Sequence, residues 1–486
     1  MQKIFFRNLI FLISLNALIK PIWILGIDRT VQNVVGTSSY GIYFVLFSLT
    51  MMTQILLDVG ISNYNNRYLA QNESELSTHI THIFSIKLFL TSLFFVVTLA
   101  IAYSIGYSLY HIYLLSIICV NQALSSLIIF SRSNISALHH FRIDSILSVL
   151  DKALMIMICG FLLIVPSLRQ QFNIEWFVYS QTISYLITLL VALGYLLFVN
   201  GNFKFKFSAP FTRELLKKSL PYALLIFLMG IYSRIDAVLI EKLLPQSGAQ
   251  EAGIYASAFR LLDALNQFGF LFAALLLPIF SKMVGKKEDI APLVKASFSV
   301  IFVFSLFIAL TLSFFSESIM RLLYHDATSY SSKVLSILSF SFLGTATAYI
   351  FGPLLIANDN LKELMVVSFI AVIVNFGLNI ILIPREGSLG ASIAASITNV
   401  LIGIVYIIVS IRVCHFKPDY NLLLRLLIFT VANILLFSTT HLWTIHSILL
   451  ILTFGVIALS LAFILKLLEI KRIFPIVQKE IYKNFQ

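Results

Sequence analysis

Charge is scarce in this 486-residue chain: Asp, Glu, Lys and Arg make up only 12% of it, against 59% hydrophobic residues. Soluble domains of that total length carry about 25% charged residues to cover their surfaces. With a mean hydropathy of +0.95, the chain reads as an integral membrane protein. Cysteine is scarcer still. Cys119, Cys159 and Cys414 stand far apart in or beside apolar runs, which offers neither metal-ligand spacing nor a disulfide framework. Free thiols are expected, and no metal or cofactor is called for. Long polar stretches are also missing. Fourteen spans of about 20 residues leave loops and tails on the order of 13 residues each, too short for a soluble domain. A glycan polymerase or lipid-dependent glycosyltransferase needs catalytic carboxylates or metal ligands at the membrane surface. The longest outer loop, near 317–332, holds Glu317, Arg321, His325 and Asp326 without metal-like spacing, so the chain is not expected to be an enzyme.

What is present is a succession of apolar runs, at about 9–27, 41–61, 83–104, 110–130, 146–166, 175–199, 219–240, 253–280, 294–316, 333–356, 363–384, 388–411, 421–442 and 446–468. The expected architecture is all-α, with about 14 transmembrane helices. Pro21 is expected to kink the first of them. Starting inside, the even-numbered connections and both tails collect 24 Lys and Arg, the outer loops six, and the spans four. This bias predicts a multi-pass protein with both ends in the cytoplasm. The net charge of +12 is thereby topological, and nucleic acid is not an expected partner.

The entry to span 2 reads GTSSYGIY (36–43) and the entry to span 8 reads GAQEAGIY (248–255), both G-x4-G-I-Y and displaced by 212 residues. Six spans separate them, so both copies run the same way through the membrane, as two parallel repeats would. The basic stretch 200–218 is the natural linker. The expected layout is an N-terminal lobe at 1–199 (helices 1–6), a cytoplasmic inter-lobe linker at 200–218, a C-terminal lobe at 219–411 (helices 7–12), and helices 13 and 14 with a cytoplasmic tail at 412–486.

Four stretches carry a family resemblance: 234–282 (RIDAVLIEKLLPQSGAQEAGIYASAFRLLDALNQFGFLFAALLLPIFSK), 374–399 (VNFGLNIILIPREGSLGASIAASITN), 56–70 and 131–152. The chain resembles the Wzx-type oligosaccharide (O-antigen and capsular polysaccharide) flippases of the multidrug/oligosaccharidyl-lipid/polysaccharide exporter superfamily. The resemblance implies two pseudo-symmetric six-helix lobes in a V, plus two C-terminal helices. It also implies a bacterial inner-membrane protein of surface polysaccharide biosynthesis, which passes undecaprenyl-pyrophosphate-linked oligosaccharide from the cytoplasmic to the outer leaflet. Its partners would be the lipid-linked oligosaccharide, membrane lipids, a coupling Na+ or H+ where one is used, and other polysaccharide assembly proteins. A multidrug cation antiporter or a lipid II flippase of the same superfamily is the alternative.

Ionisable groups inside a span are costly in hydrocarbon and usually face a bundle interior or a wet cavity. Arg260, Asp263 and Gln267 share one face of span 8, either as a self-neutralising pair or with Arg260 as a phosphate ligand. Arg234 and Asp236 point to different faces of span 7, so each needs another partner. Lys20 follows Asn16 by one turn near mid-membrane and is expected to line a cavity. Lys87, a few residues into span 3, reads as a snorkelling side chain. Asp144, Ser148 and Asp151 on span 5, with Lys152 adjoining, read as a charge cluster near the cytoplasm or as a cation or proton site. The resemblance adds Arg29 and Arg67, at the mouth and walls of the N-terminal lobe, to the cavity candidates. The expected pyrophosphate contacts are therefore Lys20, Arg29, Arg67, Arg234 and Arg260, with Asp58, Asp151, Asp236 and Asp263 as coupling or charge partners.

Overall fold

The computed structural model describes residues 2–61, 76–138, 140–200, 209–416, 419–442 and 447–468. Every regular element among them is a helix, and 14 are long and apolar enough to cross a membrane. These are α1 (Phe11–Val35), α2 (Thr37–Leu57), α3 (Ile83–Ser104), α4 (Leu109–Ala137), α5 (Phe141–Ile164), α6 (Ile174–Val199), α7 (Ser219–Leu243) and α8 (Gly248–Gly285). They continue as α9 (Ala291–Phe314), α10 (Ser329–Ala357), α11 (Leu361–Glu386), α12 (Ser388–Val413), α13 (Tyr420–Ser438) and α14 (Ser447–Ile464). The expected all-α membrane fold is thus the observed one.

The distribution of side chains is inverted relative to a water-soluble protein. Phe198, Val456 and Leu427 stand out on the surface, while Asn121, Asn134, Ser184, Thr188, Asn375 and Asn379 are buried. That is the arrangement lipid favours: apolar side chains face the hydrocarbon, and small polar ones bond or pack between helices. Ser396 Oγ, for example, donates 2.7 Å to the Ile337 carbonyl, joining α12 to α10.

α1 is not a simple kinked helix. Regular α-helix runs from Gln2 to Pro21, a π-helical segment follows over Ile22–Asp28, and α-helix resumes from Arg29 to Val35. Pro21 has no N–H to give the preceding turn, and the strain is taken up by a widened turn. As a result Arg29, which lies just beyond the expected run 9–27, is within the helix.

The chain divides into two compact units, Met1–Ala256 and Ser257–Gln486. Within the first, α1 packs on α5, α4 on α6, and α2 on both α4 and α7. The two G-x4-G-I-Y copies meet there. A Cβ on Gly41 would fall 1.9 Å from the Ala249 carbonyl oxygen, and one on Gly253 would fall 2.0 Å from that of Thr37. The displacement of 212 carries Thr37 onto Ala249 and Gly41 onto Gly253, so the two copies contact each other reciprocally. Gln32 Nε2 donates 3.0 Å to the Gly253 carbonyl beside this crossing. Within the second unit, α12 packs on α10 and α11, and α13 and α14 pack on α9 around Phe315, Phe429, Phe437 and Phe454.

Candidate functional site

Charged residues of the first unit gather along α1, α4 and α5, from the facing ends of α4 and α5 inward. α5 begins at Phe141 rather than near 146, and α4 runs on to Ala137 rather than ending near 130. These extra turns draw three charges into the helices, Arg132, Arg142 and Asp144. At 1.5 Å per residue, Asp144 lies about 5 Å and Lys152 about 16 Å from the start of α5, and Arg132 about 7 Å from the end of α4. Lys20 lies at the end of the regular α-helical part of α1, next to Pro21.

Arg132 Nε donates to Asp144 Oδ1 at 2.8 Å, and Lys152 Nζ lies 3.2 Å from Asp151 Oδ2. Lys152 Nζ also donates 3.0 Å to Tyr185 Oη on α6 and stands 4.9 Å from that ring and 5.7 Å from the Trp23 ring. Lys20 feels the charges of Lys152, Asp151 and Arg132. One turn before it, Asn16 Nδ2 donates 2.8 Å to Ser148 Oγ and fixes α1 against α5. Among the described residues, Lys20, Arg132 and Lys152 against Asp144 and Asp151 make a net positive group on membrane-spanning helices. A low dielectric strengthens its pull on an anion, and the aromatic faces of Trp23 and Tyr185 help to hold the cations.

The other expected residues have separate local settings. Asp58, at the end of α2, accepts 2.7 Å from Lys87 Nζ. Lys87 does not snorkel: it is buried, and Nζ also donates to the Leu57 carbonyl at 3.2 Å and to Ser126 Oγ at 3.0 Å. Arg29 Nη2 donates 3.2 Å to Thr30 Oγ1, while its Nε is buried without an acceptor among the described residues. Asp236 is buried and accepts 2.8 Å from Tyr255 Oη, which follows Gly253 in the second motif copy. Arg234 is half-buried two residues earlier on α7. In the second unit, Arg260 Nη1 lies 3.2 Å from Asp263 Oδ2, one turn along α8. Arg67 falls outside the described residues.

Arg132 was not singled out in the sequence, and Lys152 only as adjoining the acids of span 5. Hydropathy drops at the first charge, so Arg132 fell outside the expected span 110–130. The signal available was helical spacing: Asp144, Ser148 and Asp151 recur on one face of α5, the face on which Asn16 docks. A buried aspartate also escaped notice. Asp28, in the π-helical segment, accepts 2.7 Å from Tyr40 Oη.

The sequence pattern of the family described as polysaccharide biosynthesis protein matches residues 5–284, more than half of the chain. A second pattern, MatE, matches 221–381. None of the curated proteins matches the sequence. Among solved structures, the lipid II flippase MurJ in an inward closed conformation is similar with a TM-score of 0.67 at 16% identity, over 91% of this chain and 96% of that one. An outward-facing multidrug resistance MATE transporter of the MOP superfamily is similar at 0.57 and 16%, over 85% and 96%. A MOP-superfamily transporter from Pyrococcus furiosus gives 0.59 and 15%, over 86% and 97%. The likeness to these structures is one of fold, and the family pattern settles membership: the chain belongs to the polysaccharide biosynthesis protein family and has the fold of the MOP-superfamily flippases and transporters.

Proposed function

We propose that the protein is a flippase that moves undecaprenyl-pyrophosphate-linked oligosaccharide from the cytoplasmic to the outer leaflet of the bacterial inner membrane, by alternating access between its two repeats. The observation that carries this reading is the net positive group of Lys20, Arg132 and Lys152 inside the membrane-spanning part of a polysaccharide biosynthesis family member. A diphosphate offers dense negative charge and many acceptors, for which an Arg fork and Lys point charges are the fitting partners. The two carboxylates temper the attraction, so that the anion can leave again. Arg29, Arg234 and Arg260 are further cations for the headgroup, and Asp58, Asp151, Asp236 and Asp263 are charge partners of such cations or groups through which Na+ or H+ would couple. The sugar chain travels through the interior while the polyprenyl tail stays in lipid.

A lipid II flippase would use the same chemistry, since its cargo carries the same diphosphate; restored growth of cells depleted of their own lipid II flippase would favour it. A multidrug cation antiporter needs an acid open to a cationic drug. The acids it would lean on are Asp236, Asp263 and Asp151; Asp151 and Asp263 each lie against a Lys or Arg and Asp236 is buried against Tyr255 Oη, which weighs against that reading.

The test is flipping of a fluorescent undecaprenyl-pyrophosphate sugar in vesicles holding the full chain. One charge-assisted bond contributes about 1.5–3 kcal/mol, so Lys20→Gln should slow flipping about 10- to 100-fold, and Lys20→Arg should recover much of the rate. If Lys20→Ala, Arg234→Ala and Arg260→Ala all flip at the wild-type rate and support normal surface glycan in cells, the assignment of the headgroup to these cations is wrong.

A further inference from the structure

The second unit holds a half-open pocket, lined by none of these residues, where α9 and α13 begin and α14 ends. Its volume is about 330 Å3, and its polar lining includes Lys295, Ser299, Asp419, Asn421, Arg425 and Lys466. That volume falls in the range of small-ligand sites, about 300–1,000 Å3. Three cations converge there with one carboxylate. Lys295 Nζ donates 2.8 Å to Asp419 Oδ2, while Asp419 Oδ1 caps α13 by accepting 3.1 Å from the Leu422 amide. The bond from Lys295, followed by that of the Leu422 amide, holds the Asp419 carboxyl below its ordinary range. Asp419 is therefore ionised at neutral pH and cancels Lys295. Among the described residues, Arg425 and Lys466 bring two further positive charges to the lining with no carboxylate against them. Lys466 is held at the rim by a left-handed turn (φ 55°) that ends α14, its amide donating 3.0 Å to the Phe463 carbonyl.

The surroundings point to a lipid rather than a solute. Tyr420, Leu423 and Leu424 on α13, and Phe463 and Ile464 on α14, are exposed large apolar side chains beside the pocket. A charged hollow at the end of three spans, on helices whose neighbouring turns expose apolar side chains, matches the junction of headgroup and acyl chain. We propose that this pocket binds the phosphate headgroup of an anionic phospholipid, with Arg425 and Lys466 as its ligands and Asp419 as the group that limits the attraction. By the Lys and Arg bias the leaflet would be the cytoplasmic one. α13 and α14 would then be tied to α9 by a bound lipid as well as by their shared aromatic core.

Calorimetric titration of the purified full chain in neutral detergent tests this, with short-chain phosphatidylglycerol, the phosphatidylcholine of equal chain length, and inorganic phosphate as probes. Phosphatidylglycerol should saturate a site that phosphatidylcholine does not fill. Arg425→Gln with Lys466→Gln should weaken it about tenfold or more, as expected for losing charge-assisted bonds to phosphate. Asp419→Asn keeps a capping side chain and frees Lys295, so it should tighten binding several-fold. This opposite shift cannot arise from misfolding. Equal binding of the two lipids, or no change in either variant, overturns the proposal. Displacement by inorganic phosphate at concentrations as low as those of the lipid overturns the lipid assignment and leaves a soluble phosphate as the occupant.

Discussion

Lys87 shows how a full positive charge is kept inside a span. An ammonium has three donors and no acceptor, and the fold supplies three oxygens: Asp58 Oδ1, the Leu57 carbonyl and Ser126 Oγ, with the Phe130 ring 5.8 Å away. Removing one member of a buried ion pair strands the other, at a cost of about 3–5 kcal/mol. Asp58 retains some access to solvent, so Asp58→Ala should destabilise by the low end of that range, about 3 kcal/mol. Removing both charges, as Asp58→Asn with Lys87→Met, should return most of the loss. Thermal unfolding of the detergent-purified protein reads this, and equal losses in the single and double variants would show that the pair is not what holds these helices. The Lys20 group differs in kind: its cations outnumber its acids, which suits a passing anion better than a permanent lock.

Between helices, the decisive residues are glycines whose missing Cβ permits contact of backbones. Gly41→Ala and Gly253→Ala each put a methyl about 2 Å from a backbone oxygen of the facing motif copy, and rigid backbone cannot yield as a flexible side chain can. Each should lower the melting temperature and the yield of folded protein. Gly194, on α6 with open space where its Cβ would go, is the control: Gly194→Ala should stabilise by about 0.5–1 kcal/mol through helix propensity alone. If Gly41→Ala behaves like Gly194→Ala, the reciprocal crossing is not a tight one. The repeat behind this contact was legible as a pattern of four matching residues at one displacement, because close helix crossings constrain residue type. The 14 spans were legible for a related reason: lipid demands apolar length, and hydropathy measures it. Helix ends were not, since a backbone keeps its hydrogen-bonded turns past the first charge, as at Arg132 on α4 and Asp144 on α5. Lys87 was misread because its partners lie 29 and 39 residues away, and no local period reports such a contact. The two-fold choice at Arg260 could not be narrowed by spacing alone; the structure forms the pair with Asp263, and an anion competing for Arg260 would have to break it.

At the scale of the whole molecule, net charge and its placement govern how the chain sits in the bilayer. Four lysines, Lys282, Lys286, Lys287 and Lys295, fall between the end of α8 and the first turns of α9, and moving such a connection across the membrane opposes both desolvation and the inside-negative potential. The bias is spread over many connections rather than one, so neutralising these four lysines should leave the orientation unchanged. The expected outcome is that a fluorescent protein fused after Gln486 glows in intact cells. Alkaline phosphatase fused there should be inactive, but active when inserted in the turn at 325–327, between the short helix Ser316–Leu323 and α10. The reverse pattern would invert the topology. It would also change the leaflet from which the cationic group is reached: Arg132 and Asp144 lie within two turns of the ends of α4 and α5 that the bias places inside, while Lys20 and Lys152 lie deeper. An anion entering from the cytoplasm would therefore meet the paired arginine first and the lysines second, a graded approach that holds only in the predicted orientation.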